Sequence, residues 1–518
     1  MKTVRDSKSV TGKVFLVGAG PGDPGLITVR GAELLAQADV VFYDGLVNPL
    51  LLSITAGRCV RTARTRSGNQ TIFPQDAINR QLIEEAHAGK CVIRLKGGDP
   101  YVFGRGSEEV RALLDAEVPF EIVPGITAAT AAGVYAGFSY THRDHSSAVA
   151  FVTGTEIAGK ASSPVDYVAL SQFPGTLVFY MGLARVRSIC DRLINAGMAA
   201  DTPSAVVSHA SLPDQRVVTA ELGQLADAVK QKNMRAPSLI VVGECVNQRE
   251  TLSWFEGLPL FGLRIGITRA EHQSDEVVQA VVRAGGQPVL LPMIDVLPPD
   301  RQQQQDLEEA IDDLQSYDWL IFTSSNAVRE FMTLLWARGH DARKIYSVKI
   351  AAVGASTQAQ LGHWSLRADV VPEQSGSEAL AEVLKPVVNG KRCLWPAADR
   401  ARNSLRELLT SAGATVRQVV CYRHVNVSES DELRQRFCQP PLDWIGISSP
   451  VIAGQVATLF PQLKQKDCST RIVSISQLTT DAAGKAGMTV HAQAANASWS
   501  DMLGAVAAAT VSDMADRS

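Results

Sequence analysis

Residues 13–25 read KVFLVGAGPGDPG. The apolar run KVFLVG (13–18) ends at a glycine, as a buried strand does on entering a turn. A helix is expected from Thr28 to Gln37 with Thr28 as its N-cap, and ADVVFYD (38–44) reads as a second strand that ends at Asp44. Strand, glycine loop, helix and acidic strand end also outline a dinucleotide site. The chemistry of the loop argues otherwise. A pyrophosphate needs free backbone N–H groups at a helix that follows at once. Pro21 and Pro24 remove two donors, Asp23 adds negative charge, and the helix starts late. NAD is therefore not expected as a cofactor.

The same pattern continues outward. CVIRLKGGDP (91–100), PFEIVPGIT (119–127), TLVFYMG (176–182) and SLIVVGE (238–244) are apolar strands running into turns. Strands alternating with helical segments predict an α/β fold. A Gly/Pro-rich break, GLPLFG (257–262), follows Trp254 and Phe255, and the pattern restarts at LRIGITR (263–269). The second half echoes itself. DWLIFTSSNAV (318–328) is similar to DWIGISSPVIA (443–453), and KIAAVGASTQAQL (349–361) to RIVSISQLTTDAA (471–483). A duplication predicts two similar lobes, 263–295 with 426–510 and 300–415, one inserted into the other. The crossing segments are 289–299 and 416–425, and the cleft between lobes is a natural ligand site.

Composition narrows the function classes. The chain has 518 residues and a net charge of −3, which gives no global reason to bind nucleic acid or membrane. Anionic ligands must then be held by local cations. The eight cysteines are scattered without a CxxC pair, so neither a zinc site nor a disulfide framework is expected, and no metal cofactor. Met1 to Lys13 is polar and lacks the apolar core of a signal peptide. No apolar run approaches the ~20 residues that span a bilayer. A soluble, cytoplasmic protein is expected.

The first half then becomes specific. VGAGPGDPGLITVRGAELLAQADVVFYDGLV (17–47), RLKGGDPYVFGRGSEE (94–109), VPGITAATAA (123–132), THRD (141–144) and LVFYMGL (177–183) resemble, in order and spacing, the tetrapyrrole methylases. Within that family they are most similar to the uroporphyrinogen-III C-methyltransferases, over roughly residues 12–255. The resemblance implies a two-lobed class III methyltransferase fold, S-adenosyl-L-methionine (SAM) as methyl donor and a homodimer formed through this half. It implies SAM contacts from Pro21, Gly97, Gly98, Asp99, Val102, Thr127, Ala128, Met181 and Ala210, the last where the family often has Gly. Met181 taken alone is equally a gap-filling core residue. Asp44 is the expected general base, since a methylated pyrrole must shed a proton to a nearby carboxylate; the ordinary alternative is a strand-end cap.

Two departures bear on proton transfer. The family's Gly-Lys-Arg run is Thr65-Arg66-Ser67 here, and Arg66, matched to a proton-donating Lys, is a poor donor of a whole proton. The family's VTGH is VTGT, with Thr155 replacing His. An octacarboxylate substrate calls for cations, and Arg61, Arg64, Arg105, His142 and Arg143 are the candidates alongside Arg66. Each is otherwise a solvated surface charge.

The second half holds no dense acid/base cluster and no phosphate loop. Hydroxyls recur at strand ends, among them Thr268, Ser324, Thr357, Ser449, Thr479 and Thr480. These are candidate substrate-binding groups, or ordinary helix caps. The segments GITRAEHQSDEVVQAVVRAGGQPVLLP (266–292), DWLIFTSSNAV, AVGASTQAQL (352–361), VCYRHV (420–425) and 471–483 resemble, in complete order, the uroporphyrinogen-III synthases. That resemblance implies closure of hydroxymethylbilane with inversion of its last ring, and Tyr422 as the tyrosine assisting loss of hydroxide. Gln477-Leu478 and Trp395-Pro396-Ala397-Ala398 replace the family's Gly turn and Arg-Gly-like run. The expected organisation is a methyltransferase (12–255), a linker (256–262) and a synthase (263–510) acting on anionic tetrapyrroles. The competing reading makes the second half a noncatalytic tetrapyrrole-binding module.

Overall fold

Residues 12–62, 74–144, 146–155, 165–270, 273–374, 376–401, 403–428, 430–465 and 467–515 are described by the computed structural model. The chain divides into two compact units, Met1–Arg264 with Gln279–Pro288, and Ile265–Val278 with Val289–Ser518. Both are α/β.

The first unit carries two five-stranded sheets. One holds β1 (Lys13–Gly18), β2 (Val40–Asp44), β3 (Arg58–Thr62), β4 (Cys91–Lys96) and β5 (Phe120–Val123), in the order β3-β2-β4-β1-β5. Its strands are parallel throughout. Parallel strands carry helices on both faces, which is why KVFLVG and CVIRLK read as continuous buried runs. Val14, Leu16, Val92, Ile93 and Leu95 are fully buried. Thr28 caps the helix Val29–Ala36 by accepting from the Gly31 N–H at 3.1 Å. The carboxyl ends of β1, β2, β4 and β5 lead into the Gly18, Asp44, Gly97 and Pro124 segments. In open α/β sheets that edge is where ligands sit.

The second sheet orders β6 (Ala148–Thr153), β7 (Gly175–Tyr180), β8 (Pro203–Ser208), β9 (Arg216–Glu221) and β10 (Ser238–Val242) as β6-β7-β10-β8-β9. Only β6 and β7 pair in parallel; the remaining ladders are antiparallel. The strands β3, β6, β8 and β9 were not read from the sequence: β3, β8 and β9 lack a long apolar run ending in glycine, whereas AVAFVT of β6 does run into Gly154 and was passed over. The Gly/Pro-rich 257–262 segment is packed rather than loose. Leu260 is buried, Phe255 lies edge-on to Tyr135 with ring centroids 4.7 Å apart, and Glu256 accepts from Arg249 and Gln215.

The second half repeats the two-sheet plan. The strands β11 (Arg264–Ile267), β12 (Gln287–Leu290), β18 (Trp444–Ile447), β19 (Arg471–Ser474) and β20 (Ala492–Gln493) form one sheet, ordered β12-β11-β18-β19-β20. The other sheet is ordered β13-β17-β16-β14-β15, with β13 (Ile294–Leu297), β14 (Trp319–Phe322), β15 (Lys349–Ala352), β16 (Arg392–Ala398) and β17 (Thr415–Asn426). The crossing strands β13 and β17 pair antiparallel, Ile294 opposite Asn426. Both belong to the inserted lobe, which therefore reaches beyond the 300–415 expected for it. Ser324 and Ser449 cap the helices Ser325–Ala337 and Pro450–Leu459, and a capped start of this kind contributes about 1 kcal/mol.

No helix among the described residues is long and apolar enough to cross a membrane. Among them, too, no three His, Cys, Asp or Glu side chains gather as metal ligands.

Candidate functional site

The glycine loop after β1 is held by its own backbone. Gly20 and Gly98 exchange hydrogen bonds, the Gly98 N–H reaching Gly20 O at 2.7 Å. The Asp23 carboxylate accepts from the Gly25 N–H and the Tyr135 hydroxyl, each at 2.7 Å, and its own N–H goes to the Ser211 hydroxyl. A phosphate would find these donors already engaged. Close approach explains the glycines: a Cβ on Gly125 would stand 2.3 Å from Gly98 O, and Gly98 itself has φ +68°. The Asp99 carboxylate ties the loops together, accepting from the Tyr101, Val102 and Gly125 N–H groups.

Pro21, Gly97, Gly98, Asp99, Val102, Thr127, Ala128, Met181 and Ala210 all line one cavity of about 1040 Å³. They come from both sheets of the unit, so the expected SAM contacts converge in space although they span 190 residues of chain (21 to 210). Residues that the sequence reading did not single out complete the cavity: Leu46, Phe103, Tyr180 and His209. The Tyr180 hydroxyl bonds the Thr127 hydroxyl at 2.7 Å and accepts from the Ala129 N–H at 3.0 Å. Phe103 lies against the Tyr180 ring with centroids 4.7 Å apart. Leu46, Phe103 and Met181 are exposed at this apolar face.

Backbone strain gathers here as well. Phe103, Met181, His209 and Ser211, all lining the cavity, adopt φ of 54°, 56°, 49° and 67°. Non-glycine residues in that region cost about 1–3 kcal/mol each and mark functional sites. The Thr155 hydroxyl donates to Met181 O at 3.2 Å. The residue standing where the family has His thus supports the strained Met181. His209 and Asp214 pair at 2.5 Å, and that bond raises the imidazole pKa.

Asp44 closes β2 beside this cavity, whose lining includes the adjacent Gly45 and Leu46. Its carboxylate accepts from Arg94 Nη2 at 2.5 Å and from the Thr62 hydroxyl at 3.2 Å. Arg94 is fully buried; its Nε donates to Glu109 at 3.1 Å, and Lys96 Nζ donates to the other Glu109 oxygen at 2.9 Å. The sequence reading treated CVIRLK as an apolar strand and passed over Arg94, Lys96 and Glu109. Two cations inside an otherwise buried strand were the signal.

The expected substrate cations have mixed settings. Arg61, Arg105, His142 and Arg143 are exposed. The Arg61 guanidinium lies beside Gly45, and Arg105 is engaged by Glu108. Arg64 and Arg66 lie outside the described residues.

In the second unit Tyr422 is 4 % exposed, and its hydroxyl meets the Ser324 hydroxyl at 3.0 Å. It stands at a register shift where Ala398, not Ala397, pairs with it. Such a bulge re-aims a side chain. Burial raises the Tyr422 pKa, so the phenol keeps its proton. The hydroxyl candidates need correction. Thr268, Thr357 and Thr479 are buried, and the Thr268 hydroxyl is taken by Gly446 O at 2.6 Å. Thr268 follows β11, whereas Thr357 and Thr479 stand in the first turns of the helices Ala355–His363 and Gln477–Lys485, and all three are closed off from solvent. Thr480 bonds Ser474 at 2.6 Å and Gln493 at 2.7 Å. Ser324 and Ser449 act as the caps named above. Trp395 is buried and donates to the Thr323 hydroxyl at 3.0 Å, so the segment replacing the Arg-Gly-like run is part of the core.

Comparison with known proteins bears on both halves. Residues 13–226 match the family model of tetrapyrrole (corrin/porphyrin) methylases, and residues 275–504 match that of uroporphyrinogen-III synthase HemD. The chain is 36% identical over 480 residues to a porphyrin biosynthesis protein HemD of Ruminiclostridium josui, covering 92% of this chain and 94% of that one. It is 48% identical over 248 residues to the siroheme synthase of Pseudomonas fluorescens (strain Pf0-1), covering 48% of this chain and 53% of that one. The match thus spans about half the length of that relative. Among solved structures, uroporphyrin-III C-methyl transferase from Thermus thermophilus complexed with S-adenyl homocysteine is 39% identical, with a TM-score of 0.39 over 45% of this chain and 93% of its own.

Proposed function

This chain belongs to the porphyrin-biosynthesis family in which an N-terminal tetrapyrrole methylase is fused to a C-terminal uroporphyrinogen-III synthase, and on that premise we propose that it performs both reactions. The synthase half closes hydroxymethylbilane to uroporphyrinogen III with inversion of the last ring. The methylase half methylates that product twice to precorrin-2, at the branch toward sirohaem and cobalamin. The observation that carries this reading is the convergence of all nine expected SAM contacts on one cavity beside Asp44.

The cavity suits SAM. Gly97 and Gly98 bring backbone close to its interior, and its apolar wall fits adenosine and a methyl-bearing sulfonium. When bound, SAM supplies an electrophilic methyl group. The chain's own residues do the rest. Leu46, Phe103 and Met181 offer an apolar face to a macrocycle. Arg61, Arg105, His142 and Arg143 attract its carboxylates. Methylation makes the ring carbon quaternary and leaves a cation in the macrocycle; the Asp44 carboxylate takes the proton that this cation loses from a ring N–H or the neighbouring bridge carbon, which neutralises it. In the synthase half Tyr422 donates its O–H to the departing hydroxyl, and the lobes hold the chain curled for the inverted closure. The methylase half also forms the expected homodimer; light scattering at micromolar concentration should give twice the chain mass.

The test is incubation with hydroxymethylbilane with and without SAM, followed by product identification. Uroporphyrinogen III is expected without SAM and a dimethylated product with it. Burial of Thr268, Thr357 and Thr479 favours a second reading, in which the C-terminal half binds tetrapyrrole without closing it. Formation of only the non-inverted macrocycle would establish that reading.

A further inference from the structure

Four ionisable side chains form one hydrogen-bonded chain at the parallel sheet of the first unit: Arg94, Glu109 and Lys96, which are buried, and Asp44, which is partly exposed. Arg94 and Glu109 are 0 % exposed and Lys96 is 1 % exposed. Arg94 and Lys96 are two residues apart on β4, so both side chains leave the strand on one face. Glu109 comes down on that face from the first turn of the helix Gly106–Asp115, where the helix dipole favours a carboxylate. Each Glu109 oxygen takes one cation, Oε1 from Arg94 Nε and Oε2 from Lys96 Nζ. The Gln75 side-chain amide adds a third donor at 3.0 Å. Arg94 then reaches Asp44 with Nη2.

We propose that Glu109 is a positioning residue for methyl transfer: by sharing the Arg94 guanidinium with Asp44, it aims Asp44 and keeps it basic enough to accept a proton. The proposal rests on the reading of Asp44 as that acceptor. Beside a buried Arg and a buried Lys, a lone carboxylate is strongly stabilised in its charged form. A carboxylate so stabilised is a weak base, and proton abstraction slows accordingly. Glu109 offsets one of the two charges, and the four-membered cluster is neutral when fully ionised. Burial and the neighbouring Arg94 also lower the Lys96 pKa, as expected for an ammonium held in place mainly by Glu109. The groups facing Asp44 include Arg94 and Lys96 from β4 and Thr62 from β3, with the Arg61 guanidinium near the adjacent Gly45. Those facing Glu109 include Arg94, Lys96, Gln75 and the nearby Arg105.

The experiment is the pH profile of SAM-dependent methylation of uroporphyrinogen III by the full chain, for Glu109→Gln, Lys96→Met and the double variant. Asp44→Asn is run alongside. Glu109→Gln should move the acidic limb down by about one pH unit and lower the plateau about tenfold. Lys96→Met should move the limb up by a similar amount, and the double variant should lie between. A purely structural role predicts lower yield of folded protein and no opposed shifts. If Asp44→Asn is inactive while both single variants keep the wild-type limb, Glu109 does not tune Asp44 and the proposal is overturned. If Asp44→Asn turns over normally, the reading of Asp44 itself fails. Should Glu109→Gln not fold, Lys96→Met decides the question alone, an unmoved limb overturning the proposal.

Discussion

Around Asp44, a carboxylate, a guanidinium, an ammonium and a second carboxylate lie in one hydrogen-bonded series, beneath a cavity walled by strained backbone. Around Tyr422, itself buried, the hydroxyl meets the neutral Ser324 hydroxyl at 3.0 Å, and the His424 ring stands edge-on with centroids 5.1 Å apart. The difference matches what the two proposed reactions would ask for. Methylating a carbon creates positive charge and a proton to remove, so a base must be held at a set strength. Closing a linear chain that ionises by losing its own hydroxyl needs shape and one O–H donor. Burying three charges is costly and does not by itself stabilise a fold, so such a cluster is best explained by a task that requires charge.

The sharpest break in this comparison is Gly97→Arg. A Cβ at Gly97 would already stand 3.3 Å from Leu46 Cβ, and the guanidinium would enter the cavity. Methylation should fall to background, and S-adenosylhomocysteine should no longer raise the melting temperature. Ring closure should stay within about twofold, because sites in separate cores are nearly additive. Loss of ring closure in a folded Gly97→Arg protein would mean that the halves share a conformational step.

Tyr422→Phe probes the other side. Removing one hydrogen bond to a leaving group should cost about 1–3 kcal/mol of barrier, roughly tenfold or more in ring-closure rate. Methylation of supplied uroporphyrinogen III should be unchanged. A wild-type closure rate would remove Tyr422 from the mechanism and leave the second half working through shape alone.

Thr155→Ala sharpens the role of strain. It deletes the hydrogen bond to Met181 O. A loss of about 1 kcal/mol should appear as a roughly fivefold rise in the SAM KM, with ring closure unaffected. An unchanged KM would show that Met181 is held by packing.

The smallest expected effect is electrostatic. Asp214 raises the His209 pKa above its unfolded value, so their pair stabilises the fold fully below the unfolded pKa. That contribution is lost as pH rises through the folded value. Asp214→Asn should therefore melt below the wild type at mildly acidic pH, and the two curves should converge toward alkaline pH. A constant difference across pH would assign the effect to packing.

The sequence by itself determined the strands that feed the first site. Parallel strands buried on both faces must be apolar throughout, so KVFLVG and the apolar part of CVIRLK were legible, as was the Thr28 cap. The glycines were legible as loops, and the prolines and Asp23 as an argument against pyrophosphate, because these follow from local backbone chemistry. Motif order singled out, residue by residue, the nine expected SAM positions, which line one cavity. What only the tertiary structure decided is which polar groups remain available. Thr268, Thr357 and Thr479 looked like ligand-facing hydroxyls, yet each is buried, since whether a residue just after a strand or in the first turn of a helix meets solvent depends on the elements packed over it, which residue type does not fix. Arg94, Lys96 and Glu109 are charges that local patterning assigns to solvent. They are buried because β4 and the helix Gly106–Asp115 bring them within hydrogen-bonding distance of one another and of Asp44, and a charge is tolerated in a core only where its partners, distant in sequence, have been folded against it.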